Sequence, residues 1–138
     1  MTLEPLLHAP LAVQLHVAAV TPAVLIGTYQ IFLSRKGAPI HRVLGYIYLV
    51  LMLITAVSAL FIYALMPNGP FGGFSPIHLL VIVTFVAVWR ALHGAWTHNI
   101  AEHKRAMIVL YVAGILIAGG LTFLPGRIMH AVAFGSAI

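Results

Sequence analysis

The sequence contains no cysteine and very few acidic residues. Of its 138 residues, none is cysteine, two are Asp or Glu, and 7% are charged. The absence of cysteine excludes disulfides, thiolate metal sites and thiol nucleophiles. The two acids, Glu4 and Glu102, lie at the edges of apolar segments, so neither a Ser-His-Asp arrangement nor a carboxylate pair inside a membrane is expected. Hydrolysis and proton-coupled transport, which need such acids, are therefore disfavoured.

Apolar residues in long runs make up most of the chain. They account for 62% of it, and several runs are long enough to cross the ~30 Å hydrocarbon core of a bilayer. The Gly- and Pro-rich stretch PNGPFGGFSP cannot continue a helix and separates the second run from the third. We predict an all-α integral membrane protein, a four-transmembrane-helix bundle in a single domain that spans residues 1–138. The predicted helices cover about residues 11–33, 41–66, 76–96 and 104–124.

Positive charges cluster in two connecting loops and predict the orientation of the bundle. The loops after the first and third helices carry five of the seven basic residues: Arg35, Lys36, Arg42, Lys104 and Arg105. The opposite side has only Arg127. Basic loops usually stay in the cytoplasm, so both termini are expected outside. Because topology explains the positive charge, no nucleic acid partner is expected.

Small residues mark the faces on which helices are expected to touch. They recur every four residues, at Ala19, Ala23 and Gly27 and again at Gly114 and Ala118. Such stripes let two helix backbones approach closely in lipid, where burial of apolar surface gives no drive to associate. His16 continues the first stripe at helical spacing, so its side chain is predicted to point into the bundle and not at lipid.

Four of the eight histidines repeat one spacing in the two halves of the chain. His16 and His41 are 25 residues apart (16 to 41), and so are His78 and His103 (78 to 103). A shift of 62 positions (16 to 78) aligns the two halves, including the basic residue that follows each second histidine. This pattern predicts a parallel duplication of a two-helix hairpin about an axis along the membrane normal. We call His16 with His78 the outer pair, and His41 with His103 the inner pair.

The duplication would set two imidazoles opposite each other at each of two depths in the membrane. Paired histidines on facing helices can hold a haem through both axial positions, and ionisable groups inside a membrane are functional candidates by default. We therefore predict one or two b-type haems on the outer pair, the inner pair or both. The protein would be cytochrome b-like and relay electrons across the membrane or to a quinone. Arg42, Lys104 and Arg105 are candidate partners of the haem propionates. Arg90, expected to be buried within the third helix, can either snorkel outward or meet a propionate, a lipid phosphate or a carbonyl.

Each histidine also has an interpretation without this haem arrangement. His41 and His103 lie at helix starts beside lipid headgroups, where placing a histidine costs little free energy. His16 and His78 could each bond a backbone carbonyl of a neighbouring helix. His93 lies 15 residues after His78 (78 to 93) on the same helix. That spacing is shared by diheme membrane cytochromes, so His93 competes with His41 and His103 as a ligand.

Three further hypotheses stay open. His98, Glu102 and His103 could form a surface site for zinc or copper, although loop histidines beside a carboxylate are common by chance. The protein could instead be a haem-free accessory or anchor subunit of a larger membrane complex, or a homo-oligomer. Its histidines and arginines would then bind partner surfaces, lipid headgroups, a quinone or a redox partner protein. The last hypothesis is a small metal or solute carrier.

Two short blocks of sequence carry a family resemblance. One joins Gly27 and Gln30 to HRVLGYIY at residues 41–48, and the other is HKRAMIVLY at residues 103–111. In these blocks, and over most of the span from the first helix to the fourth, the chain resembles a bacterial family of predicted membrane proteins, the domain-of-unknown-function family numbered 2306. Relatives usually carry Trp in place of Ala106 and Arg in place of Val109. The resemblance implies a small multi-helix protein of the bacterial inner membrane and assigns no activity.

Overall fold

The computed structural model describes residues 3–64 and 76–135, and all regular secondary structure within these ranges is helical. Within these ranges the chain forms six helices and no strand: α1 (Glu4–Leu7), α2 (Leu11–Leu33), α3 (Pro39–Ala64), α4 (Pro76–Trp96), α5 (Ile100–Leu121) and α6 (Ile128–Phe134). The short helices α1 and α6 pack together at the end of the bundle that carries both termini. The predicted all-α fold is confirmed.

Four of the helices are long and apolar enough to cross a membrane: Leu11–Leu33, Pro39–Ile62, His78–Trp96 and Ile100–Leu121. α2 packs along α3, α4 packs along α5, and contacts between α3 and α4 join the two hairpins. Large apolar side chains such as Leu25 and Phe61 are exposed around the outside. In lipid this exposure carries no penalty, because the acyl tails are as apolar as the side chains. The predicted four-transmembrane-helix bundle is therefore confirmed.

One end of the bundle contains the loops at residues 34–38 and 97–99, and we call it the basic end. Its basic residues are Arg35, Lys36, Arg42, Lys104 and Arg105. Lys36 donates from Nζ to the carbonyl oxygens of Gln30 and Ile31, which satisfies acceptors at the end of α2. Trp96 of α4 donates its indole N–H to the hydroxyl of Tyr46 of α3 at 3.1 Å. Side-chain bonds thus fix both the end of α2 and the packing of α4 on α3.

Small residues of α2 form the interface with α3. Ala19, Ala23 and Gly27 are buried there, as the stripe predicts. A Cβ added to Gly27 would lie 2.7 Å from Cε2 of Tyr48, which is closer than real Cβ atoms come to a neighbour. Because Tyr48 is itself fully buried, it packs directly on the backbone of α2. The stripe therefore sets the distance between the two helices.

The larger part of the core lies in the half of the bundle nearest the basic end. Its buried members are Ala23, Tyr48, Leu49, Met52, Ala87, Val88, Ala91, Ala106, Met107, Leu110, Tyr111 and Ile115. Toward the opposite end, a second cluster among the described residues contains Ala56, Ala59 and Val81.

Some helix ends differ from the predicted ones. α5 begins at Ile100, before the predicted start at Lys104, because Asn99 caps it: Oδ1 accepts the backbone N–H of Glu102 at 3.2 Å. α3 begins at Pro39 and not at His41, since proline suits the first turn of a helix. α5 ends at Leu121, slightly before the predicted residue 124. The predicted end of the second helix, near residue 66, falls outside the described residues.

Replacing the cap Asn99 by alanine is expected to destabilise the protein by about 1 kcal/mol, because the N–H of Glu102 loses its acceptor. Thermal unfolding in detergent, followed by circular dichroism, measures the change. Asn99→Asp is the matched control, since its carboxylate keeps an acceptor in place. Equal losses of stability in the two variants would show that the cap is not the cause.

Two spans contain π-helical stretches that the sequence pattern did not predict. They are Tyr29–Leu33 in α2 and Val112–Ile117 in α5. Such stretches are rare and occur frequently at functional sites. Shifted by the 62-residue repeat, they correspond to regular α-helix in α4 and α3. The two hairpins therefore differ in backbone at these places, and the duplication stays a prediction from residue spacing.

Candidate functional site

His103 lies at the start of α5 with its ring turned toward α4. Its Nδ1 is 2.8 Å from the carbonyl oxygen of Ala91. A carbonyl oxygen only accepts, so Nδ1 is protonated and donates, and Nε2 of the neutral ring carries a lone pair. Gly94 permits this approach, because a Cβ there would lie 2.6 Å from the backbone nitrogen of His103. The ring is thus held in the form that can ligate a metal ion through Nε2.

His41, the other member of the inner pair, is tied to the end of α2. Its Nδ1 is 2.7 Å from Oγ of Ser34, which is buried. Gln30 donates from Nε2 to the backbone carbonyl of His41, also at 2.7 Å. Both members of the inner pair therefore lie in the first turn of a helix, His41 in α3 and His103 in α5, at the basic end.

His16 of the outer pair is partly buried and turned toward α3. Its Nδ1 donates to the carbonyl oxygen of Thr55 at 3.0 Å and lies 3.1 Å from Oγ of Ser58. The Ser58 hydroxyl itself donates to the Thr55 carbonyl at 2.9 Å, so it is free to accept from His16. His16 therefore points into the bundle, and its bond runs to α3. His78 lies near the start of α4 and is partly exposed.

Arg90 lies on the outside of the bundle, so the prediction that it is buried is wrong. Its side chain is 60% exposed, and Nε is 3.2 Å from Oε1 of Glu102 on α5. His93, three residues further along the same face of α4, has Nδ1 3.4 Å from Oε2 of Glu102 and its ring stacked on Trp89. The carboxylate of Glu102, whose side chain is 21% exposed, thus contacts both side chains. His93 is half exposed, away from the inner pair with which it competes as a ligand.

Arg42 and Arg105 are exposed at the basic end. Arg42 directly follows His41, and Arg105 stands two residues after His103. Guanidinium groups bind carboxylates in strong bidentate pairs. Both arginines therefore lie at the same end of the bundle as the inner pair.

The surface metal site predicted at His98, Glu102 and His103 does not form. Across residues 3–64 and 76–135, no three His, Cys, Asp or Glu side chains are grouped so that they could hold a metal ion. Glu102 is engaged by Arg90 and by His93, and the ring of His103 bonds the backbone of α4.

Sequence reasoning missed a buried polar cluster beside the inner pair. Thr28 and Tyr111 share a hydrogen bond of 2.9 Å between their hydroxyls, which joins α2 to α5. Gln30 and Tyr48 are buried next to it. One signal was available in the sequence, since Gln30, Tyr48 and Tyr111 are all among the residues that carry the family resemblance. Three helices contribute to the cluster, so no local pattern along the chain describes it.

Comparison with known proteins identifies the family. The family model described as "Predicted membrane protein (DUF2306)" matches residues 13–133, which cover all four spans and both histidine pairs. The chain belongs to this family, as the resemblance indicated. No curated protein and no solved structure matches the chain.

Proposed function

We propose that this member of the predicted membrane protein family DUF2306 is a small electron carrier that binds a b-type haem between His41 and His103. Haem, when bound, supplies one-electron chemistry at its iron. The two imidazoles would fill both axial positions, which suits electron transfer better than oxygen chemistry. The family match supports the membrane location, and the histidine geometry supports the cofactor.

The observation that carries the proposal is the hydrogen bonding of the two rings. His103 donates Nδ1–H to the carbonyl of Ala91, and His41 shares a hydrogen bond with Ser34. Histidines that bind metals almost always donate a hydrogen bond from their second nitrogen, which fixes the tautomer and raises the basicity of the ligating nitrogen. His103 does so, and His41 does so when its Nδ1–H donates to Ser34. His16 and His93 also engage Nδ1, so the choice of the inner pair depends on the distribution of charge as well.

The distribution of charge supports the same choice. Haem propionates are anionic and need cationic partners where they meet the membrane surface. Arg42 and Arg105 lie at the basic end with the inner pair, whereas Arg127 is the single basic residue of the chain at the opposite end. Arg90, already engaged by Glu102, is the weakest of the four predicted propionate partners.

We propose further that the protein lies in a bacterial inner membrane with its basic end facing the cytoplasm. This orientation follows from the rule that basic loops stay on the cytoplasmic side. The electron partners would then be a quinone dissolved in the bilayer or a redox protein that binds at the basic end. The exposed positive side chains there suit a partner with an acidic surface.

The absorption spectrum of the purified protein tests the proposal directly. Protein extracted in detergent from haem-replete cells is expected to be red and to show a sharp α-band when reduced. A ratio of about one haem per chain matches the inner pair alone, and about two adds the outer pair. Colourless protein from such cells would contradict haem binding.

The hydrogen bond from His16 to Thr55 favours a second candidate, a haem-free accessory or anchor subunit of a larger membrane complex. Side-chain hydrogen bonds between membrane helices contribute about 0.6 kcal/mol on average, so packing alone explains His16. The broad apolar surface would then bind partner helices. In this case the protein is colourless and co-purifies with other membrane subunits in mild detergent.

Replacing His16 by alanine is expected to lower the unfolding temperature and leave the haem content unchanged, because the bond between α2 and α3 is lost while the inner pair stays intact. Haem-to-protein ratio and thermal unfolding are measured on the same sample. His8→Ala, at an exposed position outside the spans, is the control. A halved haem content in the His16 variant would instead place a second haem on the outer pair.

A further inference from the structure

Two buried polar atoms at the junction of α2, α3 and α5 have no hydrogen-bond partner within the described part of the chain: Oε1 of Gln30 and the hydroxyl oxygen of Tyr48. Gln30 is 2% exposed and Tyr48 is 0% exposed. An unpaired buried polar atom is costly, and native proteins have very few of them. Two such atoms at one junction indicate a shared partner outside the chain itself.

Packing between α2 and α3 places the two side chains within one helical turn of each other. Nε2 of Gln30 lies 3.2 Å from the Cβ position of Gly45, and the ring of Tyr48 packs on Gly27. Gly45 and Tyr48 share one face of α3, just as Gly27 and Gln30 share one face of α2. Side chains lean toward the N-terminus of their own helix. Because the two helices are antiparallel, Gln30 and Tyr48 lean toward each other.

The backbone is irregular on both sides of this junction. The π-helical stretch Tyr29–Leu33 contains Gln30, and the stretch Val112–Ile117 begins directly after Tyr111. An inserted water is one known cause of distortion in a helical hydrogen-bond ladder. Both irregular stretches therefore occur where a small polar ligand would be accommodated.

The ligand has to be small and uncharged. The two acids of the chain lie elsewhere, Glu4 in α1 and Glu102 on the outer surface, so a cation at the junction would have no compensating charge. Gln30 donates from Nε2 to the carbonyl of His41, which fixes the amide orientation and leaves Oε1 as an acceptor. The Tyr48 hydroxyl can donate or accept. A water molecule can donate to Gln30 and accept from Tyr48.

We propose that one buried water bridges Oε1 of Gln30 and the hydroxyl of Tyr48. Because the Gln30 amide also donates to the carbonyl of His41, the water connects the Tyr48 hydroxyl through Gln30 to the backbone of His41. Buried waters of this kind commonly make about three hydrogen bonds and are part of the structure. The site is independent of haem, so its test and the test of the proposed function give separate answers.

The sign of the stability change in Tyr48→Phe tests the proposal. If a water is bound, the variant loses a hydrogen bond and its unfolding temperature falls by roughly 3–5 °C. Tyr111→Phe, which breaks the hydrogen bond to Thr28, gives the reference value for such a loss. If the hydroxyl is unpaired, its removal eliminates the desolvation cost of a buried polar group, and the unfolding temperature rises. A rise or no change overturns the proposal.

A double-mutant cycle with Gln30→Met tests the bridge itself. Because one water serves both side chains, the loss in Tyr48→Phe/Gln30→Met is expected to be smaller than the sum of the two single losses. Additive losses overturn the bridge. A high-resolution structure gives an independent answer: density within hydrogen-bond distance of both atoms supports the water, and its absence in a map that shows other buried waters refutes it.

Discussion

Replacing His103 by asparagine is expected to abolish haem binding while the bundle stays folded. The asparagine amide nitrogen stands about where Nδ1 stands in histidine, so it can still donate to the carbonyl of Ala91, whereas Nε2 is removed. Loss of an outer-shell partner alone costs roughly 10–100-fold in metal affinity. Loss of the ligand itself should therefore remove most of the haem. Reduced-minus-oxidised spectra and circular dichroism of detergent-purified protein measure cofactor and fold together.

Two companion variants make this result specific. His41→Asn should lose the α-band to the same extent, since its ring is proposed to fill the other axial position. His98→Asn should keep the α-band, because His98 is exposed in the loop between α4 and α5. Retention of the normal spectrum in both His41→Asn and His103→Asn would exclude the inner pair as the haem site.

Gly94→Ala is expected to cause the largest loss of stability of any conservative change considered for this protein. The new Cβ would lie 2.6 Å from the backbone nitrogen of His103 and 3.0 Å from the carbonyl oxygen of Asn99. Both are backbone atoms, so no side chain can rotate away and α4 and α5 have to separate. Overpacking of this kind costs typically 1–3 kcal/mol, and we expect a value of about 3 kcal/mol. Thermal or denaturant unfolding in detergent measures it.

Gly119→Ala is the matched control for Gly94→Ala. Gly119 is also helical, in α5, but a Cβ added there meets nothing within 4 Å. It should leave stability unchanged or raise it slightly, since alanine favours helix over glycine. Because Gly94 packs on the backbone of His103, the Gly94 variant should also lose haem affinity. Similar stability in the two alanine variants would show that α4 and α5 do not approach each other this closely at Gly94.

The positions of the spans could be predicted from sequence because of the way lipid constrains a chain. Inside a bilayer each backbone group must be paired within its own helix, so apolar runs of sufficient length become helices whatever surrounds them. The bounds of α2 and α4 accordingly match the predicted residues 11–33 and 76–96. The early start of α5 depends on the single polar cap Asn99, and a search for apolar runs does not detect such a cap.

The candidate site was only partly predictable, because it depends on how each helix is rotated. Each residue turns a helix by about 100°, so a membrane position says little about which way a side chain faces. Arg90 looks buried by its place in the apolar run, yet the buried face of α4 consists of Ala87, Val88 and Ala91, and Arg90 lies at its edge in contact with Glu102 of α5. His16 could be placed because the small-residue stripe identifies the inward face of α2. No comparable stripe identifies the cluster around Tyr48.

The bond between Trp96 and Tyr46 indicates how deep the inner pair lies. Trp and Tyr prefer the boundary between lipid and water, and both side chains are largely exposed at the basic end. His41 and His103 lie in the first turns of α3 and α5 at that same end, so an electron on the proposed haem would be held at the rim of the bilayer. It would be close to soluble proteins and quinone headgroups on this face, with most of the ~30 Å apolar layer between it and the other face. With one haem, the protein would therefore exchange electrons at a single membrane surface.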